Sequence, residues 1–313
     1  MTCAVGASQG KWPQRAAQAK RHVGRARWAV GMVGACTVAA CAASAPAASV
    51  APAVSTPRAT PGASAPAIAR PPRPKVVISH FRATDGSVVT LGLFRGAVRY
   101  RLHSGSTDPG PAALSVVRAG PRIGGGERRH LLAVFNGGFL LSAHAGGYVQ
   151  EGHVISPLRR GLASLVIDRS GIASIGAWGW GLPRPHEAVY SVRQNLRLLI
   201  SHGRATRAAA DWTVWGTTLG GGENVARSAL GENAAGELVY AAGISTTPAD
   251  LAAALLHVGA RTAMELDINP EWVQLDRSWA PGRGLRAAIP GQVRPAGQYL
   301  AGWTRDFVTV LAP

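Results

Sequence analysis

A short stretch near the end of the chain carries three carboxylates, Glu265, Asp267 and Glu271. If residues 261–268 form a β-strand, period-two alternation places Glu265 and Asp267 on one face, with Cβ atoms about 7 Å apart. A buried strand rarely carries two acids on one face unless they have partners. Two carboxylates whose pKa values are pushed apart can serve glycosyl transfer, one as acid and the other as base or nucleophile. The alternative is a pair of surface acids that balance nearby arginines.

The segment Asn136-Gly137-Gly138 follows a short apolar run over 131–135 and is a second candidate site. Two glycines allow the backbone to approach a ligand closely, and successive N–H groups can bind an anion. An ordinary turn at the end of a strand could have the same sequence. A third candidate is Arg227, which follows a Gly-rich loop and could hold a phosphate through two parallel hydrogen bonds, or could simply be solvated.

Several other chemistries lack their residue patterns. The nine histidines show no His-x-x-x-His or His-x-Glu spacing, and all three cysteines precede residue 42, so we expect no metal site. The glycine triplets at 124–126 and 220–222 are not followed by Lys-Ser or Lys-Thr, and no Gly-x-Ser-x-Gly segment occurs. The sequence therefore indicates neither a nucleotide site nor a serine hydrolase, and we expect no cofactor.

The net charge of +17 is distributed in a way that argues against nucleic-acid binding. Ten of the 33 Lys and Arg residues precede residue 76, in a part of the chain that has no acid. The remaining arginines are scattered and form no basic stripe with interleaved aromatic residues. The 39 glycines and 21 prolines also exclude a coiled coil or an all-helical bundle, because both residue types break helices.

Residues 1–41 are typical of an export signal. Basic residues up to Arg27 precede an apolar stretch, 28–40, that is shorter than the about 20 residues of a membrane span. The Val-Ala-Ala-Cys segment at 38–41 matches a bacterial lipobox, in which Cys41 would be acylated and become the mature N-terminus. Cleavage a few residues later by an ordinary signal peptidase and an uncleaved anchor are the alternatives.

Residues 42–75 consist mainly of Ala, Pro, Ser and Thr, which cannot bury a core, so this stretch is predicted to be a disordered linker. Residues 76–313 are predicted to form the folded domain. Thr247 as N-cap, Pro248 at the first position and Gly259 after the end predict one clear helix. Apolar or alternating runs predict β-strands at 76–81, 87–94, 97–103, 113–117, 131–135, 164–168, 171–177, 238–242 and 261–268.

Many strands and few helices predict a single α+β domain built around a mixed sheet. The predicted helix joins the strands at 238–242 and 261–268, which fits a crossover between parallel strands.

Four segments, taken in order, resemble the phosphodiester glycosidase domain family. They are Phe-Asn-Gly-Gly-Phe at 135–139, Val-Arg-Gln-Asn at 192–195, Arg-Ser-Ala-Leu-Gly at 227–231 and Glu-Leu-Asp at 265–267. The likeness spans roughly residues 85–280 and is greatest with exported actinobacterial members. The family includes a lysosomal enzyme that removes GlcNAc from a GlcNAc-1-phosphodiester. Many members continue after Leu-Asp with Gly-Gly-Gly-Ser, whereas this chain has Ile-Asn-Pro-Glu-Trp.

The resemblance implies a hydrolase that cleaves the bond between a sugar anomeric carbon and a phosphate in a cell-envelope or exopolysaccharide glycan. In this role Asp267 would be the nucleophile or general base, and Glu265 or Glu271 would supply the acid. The substrate-binding groups implied by the resemblance are Asn136, Gly137, Gly138, Gln194, Asn195 and Arg227.

The expected partners are a glycan or glycosyl-phosphate substrate and, through the N-terminal anchor, a membrane; nucleic acid is not expected. The expected location is the outer face of the cytoplasmic membrane or, without an anchor, the secreted fraction. Because the loop after Asp267 departs from the family pattern, a non-catalytic protein that binds envelope glycan is the alternative function.

Overall fold

The computed structural model describes residues 74–280 and 282–313. The predicted export signal over 1–41, with its Cys41, and nearly all of the predicted linker lie outside the described residues. Among the helices of the described part, none combines the length and apolarity that crossing a bilayer requires.

The described residues form a strand-rich domain with four short α-helices, which confirms the predicted α+β class. The helices are α1 (Pro111–Leu114), α2 (Gly125–Arg128), α3 (Pro248–His257) and α4 (Gln298–Ala301). The strands are β1 (Val76–Arg82), β2 (Val88–Phe94), β3 (Arg99–His103), β4 (Leu131–Asn136), β5 (Tyr148–Gln150), β6 (His153–Ser156), β7 (Ala163–Asp168), β8 (Ala173–Trp178), β9 (Gly181–Leu182), β10 (Val189–Gln194), β11 (Leu198–Ser201), β12 (Arg204–Ala205), β13 (Val225–Asn233), β14 (Leu238–Thr246), β15 (Ala260–Ile268), β16 (Leu275–Ser278), β17 (Leu285–Ala287) and β18 (Phe307–Leu311).

The strands are arranged in three sheets. The first has the order β1-β2-β14-β13-β15-β11-β12, the second β6-β5-β10-β7-β8-β9 and the third β17-β16-β4-β18-β3. The neighbours in the central part of each sheet pair antiparallel, and β8 with β9 forms a parallel pair. The sequence analysis predicted a domain built around a mixed sheet. In the structure, the strands of this domain divide among three sheets.

The predicted strand–helix–strand unit is present as β14, α3 and β15. Strand β13 lies between β14 and β15 and pairs antiparallel with both, so the two joined strands run parallel without being neighbours. Helix α3 begins at a capping box, in which Thr247 Oγ1 accepts from Asp250 N at 3.1 Å and the Asp250 carboxylate accepts from Thr247 N at 3.1 Å. Gly259, with φ of 84°, follows the helix in the left-handed conformation.

The seven-stranded sheet has a hydrophobic cluster on each face. On one face, Leu251 and Leu255 of α3 pack with Val239 and Ala263. The other cluster combines side chains from all three sheets: Phe135, Leu165, Leu230, Tyr240, Met264 and Leu266. Met264 and Leu266 pack in the second cluster. Glu265, which lies between them in sequence, is therefore directed to the opposite face of the sheet, as the alternation predicted.

The strand predicted at 113–117 is wrong. Helix α1 occupies Pro111–Leu114, because Pro111 stands at its first position, where a proline loses no hydrogen bond and its φ suits a helix. The apolar residues at 113–117 are typical of a short strand, but Pro111 favours the start of a helix at this point of the chain.

Candidate active site

A cavity of about 310 Å³ lies beside the end of β15. Its wall is built by segments that are far apart in the chain, and it includes Phe139, Thr217, Asp267, Asn269, Trp272 and Arg305. Two charged side chains, Asp267 and Arg305, therefore meet two aromatic rings at one opening. This arrangement offers a hydrogen-bonding anion site with an apolar wall.

The Asp267 carboxylate and the Arg305 guanidinium form an ion pair in the cavity wall, with Oδ2 2.7 Å from Nη2. The other carboxylate oxygen accepts from Ile268 N at 2.9 Å. Burial raises the pKa of Asp267 to about 7, although the Arg305 charge and the Ile268 amide lower it. Burial thus disfavours the ionised form of this carboxyl group, whereas the Arg305 charge and the Ile268 amide favour it.

Arg305 is held from several sides. Its Nη2 also donates to Gly138 O at 3.0 Å, and its guanidinium carbon lies 4.6 Å from the centroid of the Trp272 ring. The Asp108 carboxylate is 3.9 Å from Nε. The guanidinium thus lies between two carboxylates and an indole, which fixes its orientation toward the cavity.

Glu265 and Arg227 form a second ion pair, with Oε1 2.9 Å from Nη1. Both side chains are 0% exposed, and neither belongs to the cavity wall. Arg227 Nη1 also donates to Trp215 O at 3.2 Å. Burial raises the pKa of Glu265 to about 8, against the lowering effect of Arg227. Glu265 Oε2, Arg227 Nε and Arg227 Nη2 are buried without a hydrogen-bond partner among the described residues.

A register shift between β13 and β15 explains the different positions of the two acids. Arg227 pairs with Ile268 and Ala229 pairs with Glu265, so two residues of β15 oppose the single residue between Arg227 and Ala229. Such a bulge bends the strand and redirects its side chains. Asp267 and Ile268, which are adjacent in sequence, accordingly both line the cavity.

Asn136 connects β4 to the end of β15. Its Nδ2 donates to Ser228 Oγ at 3.0 Å, and Ser228 Oγ donates to Asp267 O at 2.8 Å. Its Oδ1 accepts from Tyr240 OH at 2.7 Å. The asparagine is 3% exposed, so its side chain positions the backbone of the catalytic candidate and does not itself reach the cavity.

The glycines after Asn136 are required by close packing. A Cβ on Gly137 would lie 2.0 Å from Asp306 Oδ2, and one on Gly138 would lie 3.0 Å from Arg193 Cζ. The amide of Gly137 donates to Asp306 O at 2.9 Å, and that of Phe139 donates to Asn195 Oδ1 at 3.2 Å. These two amides are therefore already engaged within the protein, which reduces the capacity of the segment to bind an anion.

Asn195 and Gln194 hold backbone segments in place. Asn195 Nδ2 donates to Glu265 O at 2.9 Å and to Leu266 O at 2.8 Å, so it joins the 136–139 loop to β15. Gln194 Oε1 accepts from Gly147 N at 3.0 Å and from Arg159 N at 2.8 Å. Both side chains are 0% exposed and support the site from behind.

Glu271 is separated from this arrangement. It is partly exposed, does not line the cavity and contributes its carbonyl oxygen to a hydrogen bond from Arg294 Nε at 3.2 Å. Of the three carboxylates singled out in the sequence, the structure thus places Asp267 in the cavity wall, Glu265 behind it and Glu271 outside it.

Sequence reasoning missed the arginines that organise the site. Arg193 binds Asp306, with Nε 2.7 Å from Oδ2, and also donates to Phe139 O. Arg305 and Asp306 stand next to each other just before β18, and Arg193 is part of the Val-Arg-Gln-Asn segment. An Arg-Asp pair in front of a strand was the available signal, but adjacent opposite charges are also common on surfaces. In residues 74–280 and 282–313, no three His, Cys, Asp or Glu side chains are grouped as a metal site requires.

No protein-family model matches the chain, and no curated protein matches it in sequence. Among solved structures, 76% of the chain is similar to 82% of the catalytic domain of zebrafish N-acetylglucosamine-1-phosphodiester alpha-N-acetylglucosaminidase, with 12% identity and a TM-score of 0.47. The same share is similar to 62% of a hypothetical protein from Synechocystis, with 12% identity and a TM-score of 0.43.

A protein of Burkholderia pseudomallei K96243 that is described as exported is similar over 58% of its length, with 13% identity and a TM-score of 0.27. At these identities and TM-scores, the likenesses assign neither an activity nor a substrate to this chain.

Proposed function

We propose that this chain is a hydrolase that cleaves the glycosyl–phosphate bond of a sugar-1-phosphodiester. The observation that carries the proposal is the Asp267 carboxylate in the wall of the cavity, bonded to Arg305 at 2.7 Å. A carboxylate and a guanidinium side by side can act on the anomeric carbon and on the phosphate of the same ligand. The order of motifs that resembles the phosphodiester glycosidase family points to the same substrate class.

In this proposal Asp267, in its ionised form, attacks the anomeric carbon or removes a proton from the attacking water. The bond between C1 and the phosphate oxygen breaks, the bonding electrons leave with the phosphate, and water supplies the hydroxyl group of the released sugar. Phosphate is a good leaving group, so the need for a general acid is smaller than for an ordinary glycoside. Arg305 stabilises the negative charge that develops on the phosphate.

The geometry favours Arg305 over Arg227 for the phosphate, because Arg227 is fully buried and bonded to Glu265. Glu265 in turn acts as a positioning group that holds Arg227, and Glu271 lies too far outside the cavity wall to be the preferred acid. Asn136, Gln194 and Asn195 shape the pocket by fixing the segments around it.

The proposed location is outside the cytoplasm, with a glycan of the cell envelope or an exopolysaccharide as the substrate. This part rests on the export-signal pattern of residues 1–41, the lipobox cysteine Cys41 and the composition of the linker.

The test is an assay of the purified full chain on a panel of α- and β-linked 1-phosphodiesters of GlcNAc, glucose and mannose, with the released sugar measured by mass spectrometry. We expect release from at least one phosphodiester and none from the matched methyl glycoside. Asp267→Asn should lower turnover by about a thousandfold, because it removes the base or nucleophile. Asp85→Asn, an exposed substitution in the turn between β1 and β2, is the matched control and should keep wild-type turnover.

Equal turnover by the wild type and Asp267→Asn, or no release from any member of the panel, would contradict the proposal. In the second case the alternative, a protein that binds glycan without cleaving it, gains support, since the Ile-Asn-Pro-Glu-Trp segment after Asp267 departs from the family pattern. Retention of a glycosyl phosphodiester by the full chain without product would identify that function.

A further inference from the structure

A second concave surface lies next to the cavity. It is a groove of about 590 Å³, and the segment leading into β11 separates the two, since Leu196 lines the cavity while Arg197 and Leu198 line the groove. Other groove residues are Gly161, Trp180, Arg184, Ser201 and Thr206. Neither the proposed reaction nor the resemblance uses this groove.

Trp180 gives the groove a flat aromatic surface. Its side chain is 65% exposed, although large apolar residues are usually covered. Gly161 supports the ring from below: a Cβ at this position would lie 2.9 Å from Trp180 Cζ3, so only a glycine allows the indole to rest on the backbone. An exposed ring that is fixed by a backbone contact is suited to stacking against the apolar face of a sugar.

The charges around the groove are positive. Arg197 lines it and makes no salt bridge within the described residues. Arg204 pairs across the strand with Ser201, so both side chains lie on the same face. Arg184 bonds at 2.5 Å to Glu232, whose side chain is 7% exposed. No Asp or Glu is found among the lining residues of the described part.

We propose that this groove binds an anionic saccharide chain, with Trp180 stacking on a sugar ring and Arg197 pairing with an acidic substituent. Arg204, which is outside the groove wall but beside Ser201, adds positive charge at its edge. The hydroxyl group of Ser201 adds a polar contact for a sugar oxygen, and Thr206 Oγ1, which donates to Leu198 O at 3.1 Å, can accept from a sugar hydroxyl group. A membrane surface fits less well, because Trp180 is the one exposed large apolar side chain among the described groove residues, and a membrane-binding surface presents several. The proposal does not rest on the proposed reaction, since it concerns binding at a separate surface.

The experiment measures binding of the full chain to phosphorylated dextran by isothermal titration calorimetry, beside unmodified dextran of the same length. Trp180→Ala should weaken binding of phosphorylated dextran about fivefold to tenfold, because the stacking contact is lost. Arg197→Gln should weaken it by about threefold and reduce its dependence on salt. Unmodified dextran should bind far more weakly than the phosphorylated form.

Trp279→Ala is the matched control. Trp279 is 50% exposed, but two guanidinium groups, those of Arg283 and Arg286, already lie 5.7 and 5.5 Å from its ring centroid. This variant should bind phosphorylated dextran as the wild type does. If Trp180→Ala does not fold, as judged by its thermal unfolding midpoint, Trp180→Phe and Arg197→Gln carry the test.

Two further probes separate the partner classes: linear polyphosphate, which has charge without sugar, and vesicles of phosphatidylglycerol. Unchanged affinity of the Trp180 and Arg197 variants overturns the proposal. Binding of polyphosphate or vesicles as tight as that of phosphorylated dextran also overturns it, because the groove would then be a general anionic surface. Asp267→Asn should bind the dextran normally, which keeps this result distinct from any loss of turnover.

Discussion

Glu265 and Asp267 stand two residues apart on β15, and each is bonded to one arginine, yet their surroundings differ. The Glu265–Arg227 pair is fully enclosed, whereas the Asp267–Arg305 pair forms part of a cavity wall. An enclosed pair can contribute only to holding the structure, while a pair at an opening can exchange its partner for a ligand. Spacing along a strand therefore does not distinguish a structural acid from a reactive one.

The largest expected effect is a loss of stability when the enclosed Glu265–Arg227 pair is broken. Glu265→Leu removes the carboxyl group that accepts from the buried Arg227 guanidinium and should lower the free energy of unfolding by about 3–5 kcal/mol. Chemical denaturation of the full chain measures this change. Glu223→Leu, at an exposed position, is the matched control and should change stability by less than about 0.5 kcal/mol.

The double variant Arg227→Met, Glu265→Leu sharpens the result. It removes both members of the pair together, so it should recover much of the stability lost in Glu265→Leu. If the single variant is as stable as the wild type, the enclosed pair does not have the structural role that we assign to it.

The next effect is a pH dependence caused by Asp267. Burial raises the pKa of Asp267 from 3.8 in the unfolded chain to about 7 in the folded protein, so the folded state binds the proton more tightly. The resulting stabilisation is complete below about pH 4 and is lost as the pH rises toward about 7. The unfolding free energy of the wild type relative to Asp267→Asn should therefore fall by up to about 4 kcal/mol over this range.

Denaturation curves at a series of pH values measure this difference, with Asp85→Asn as the control. Asp85 is fully exposed, and a hydrogen bond from the Ser87 amide lowers its pKa, so its removal should not reproduce the trend. A wild-type-minus-Asp267→Asn difference that stays constant from about pH 4 to 7 would contradict the assignment of a buried, protonatable Asp267.

A smaller effect is expected at Gly137, whose amide donates to Asp306 O at 2.9 Å. Gly137→Ala places a methyl group 2.0 Å from Asp306 Oδ2, and the overpacking should cost about 1–3 kcal/mol of stability. Gly124→Ala, where no atom lies within 4 Å of the added Cβ, is the matched control and should be nearly neutral in urea denaturation. Equal stability of the two variants would contradict this prediction, because the loop would then accommodate the methyl group without strain.

The smallest effect is expected at Trp272, whose ring centroid lies 4.6 Å from the guanidinium carbon of Arg305. Trp272→Phe keeps an aromatic ring but weakens the cation–π contact, so KM for the phosphodiester should rise about twofold to fivefold with little change in kcat. Steady-state kinetics measures both constants, and Trp279→Phe serves as the control. A large loss of kcat with unchanged KM would mean that Trp272 acts on the reaction step itself.

Much of the fold was predictable from local patterns. The N-cap at Thr247 and the alternation of β15 as far as Leu266 were correct, because both are determined by residues close in sequence. The strand predicted at 113–117 failed because a proline two positions earlier favoured a helix. The division of the strands among three sheets depends on pairings between distant segments, which a single sequence does not specify.

The candidate site shows the same limit. Period-two alternation predicted a common face for Glu265 and Asp267, but the register shift with β13 separates their positions and brings only Asp267 to the cavity wall. Arg305 reaches Asp267 from the segment before β18, and Arg193 reaches Asp306 across 113 positions of the chain. The pairing of each arginine with its acid is therefore determined by the tertiary structure and not by local sequence.

The central claim is that Asp267, and not Glu265, acts on the ligand. The most direct measurement compares kcat/KM of the wild type, Asp267→Asn and Glu265→Gln on the preferred glycosyl phosphodiester, at a temperature where each variant is folded. We predict a loss of about a thousandfold for Asp267→Asn and less than about tenfold for Glu265→Gln. Wild-type kcat/KM in Asp267→Asn, or an equal loss in the folded Glu265→Gln variant, would contradict the claim.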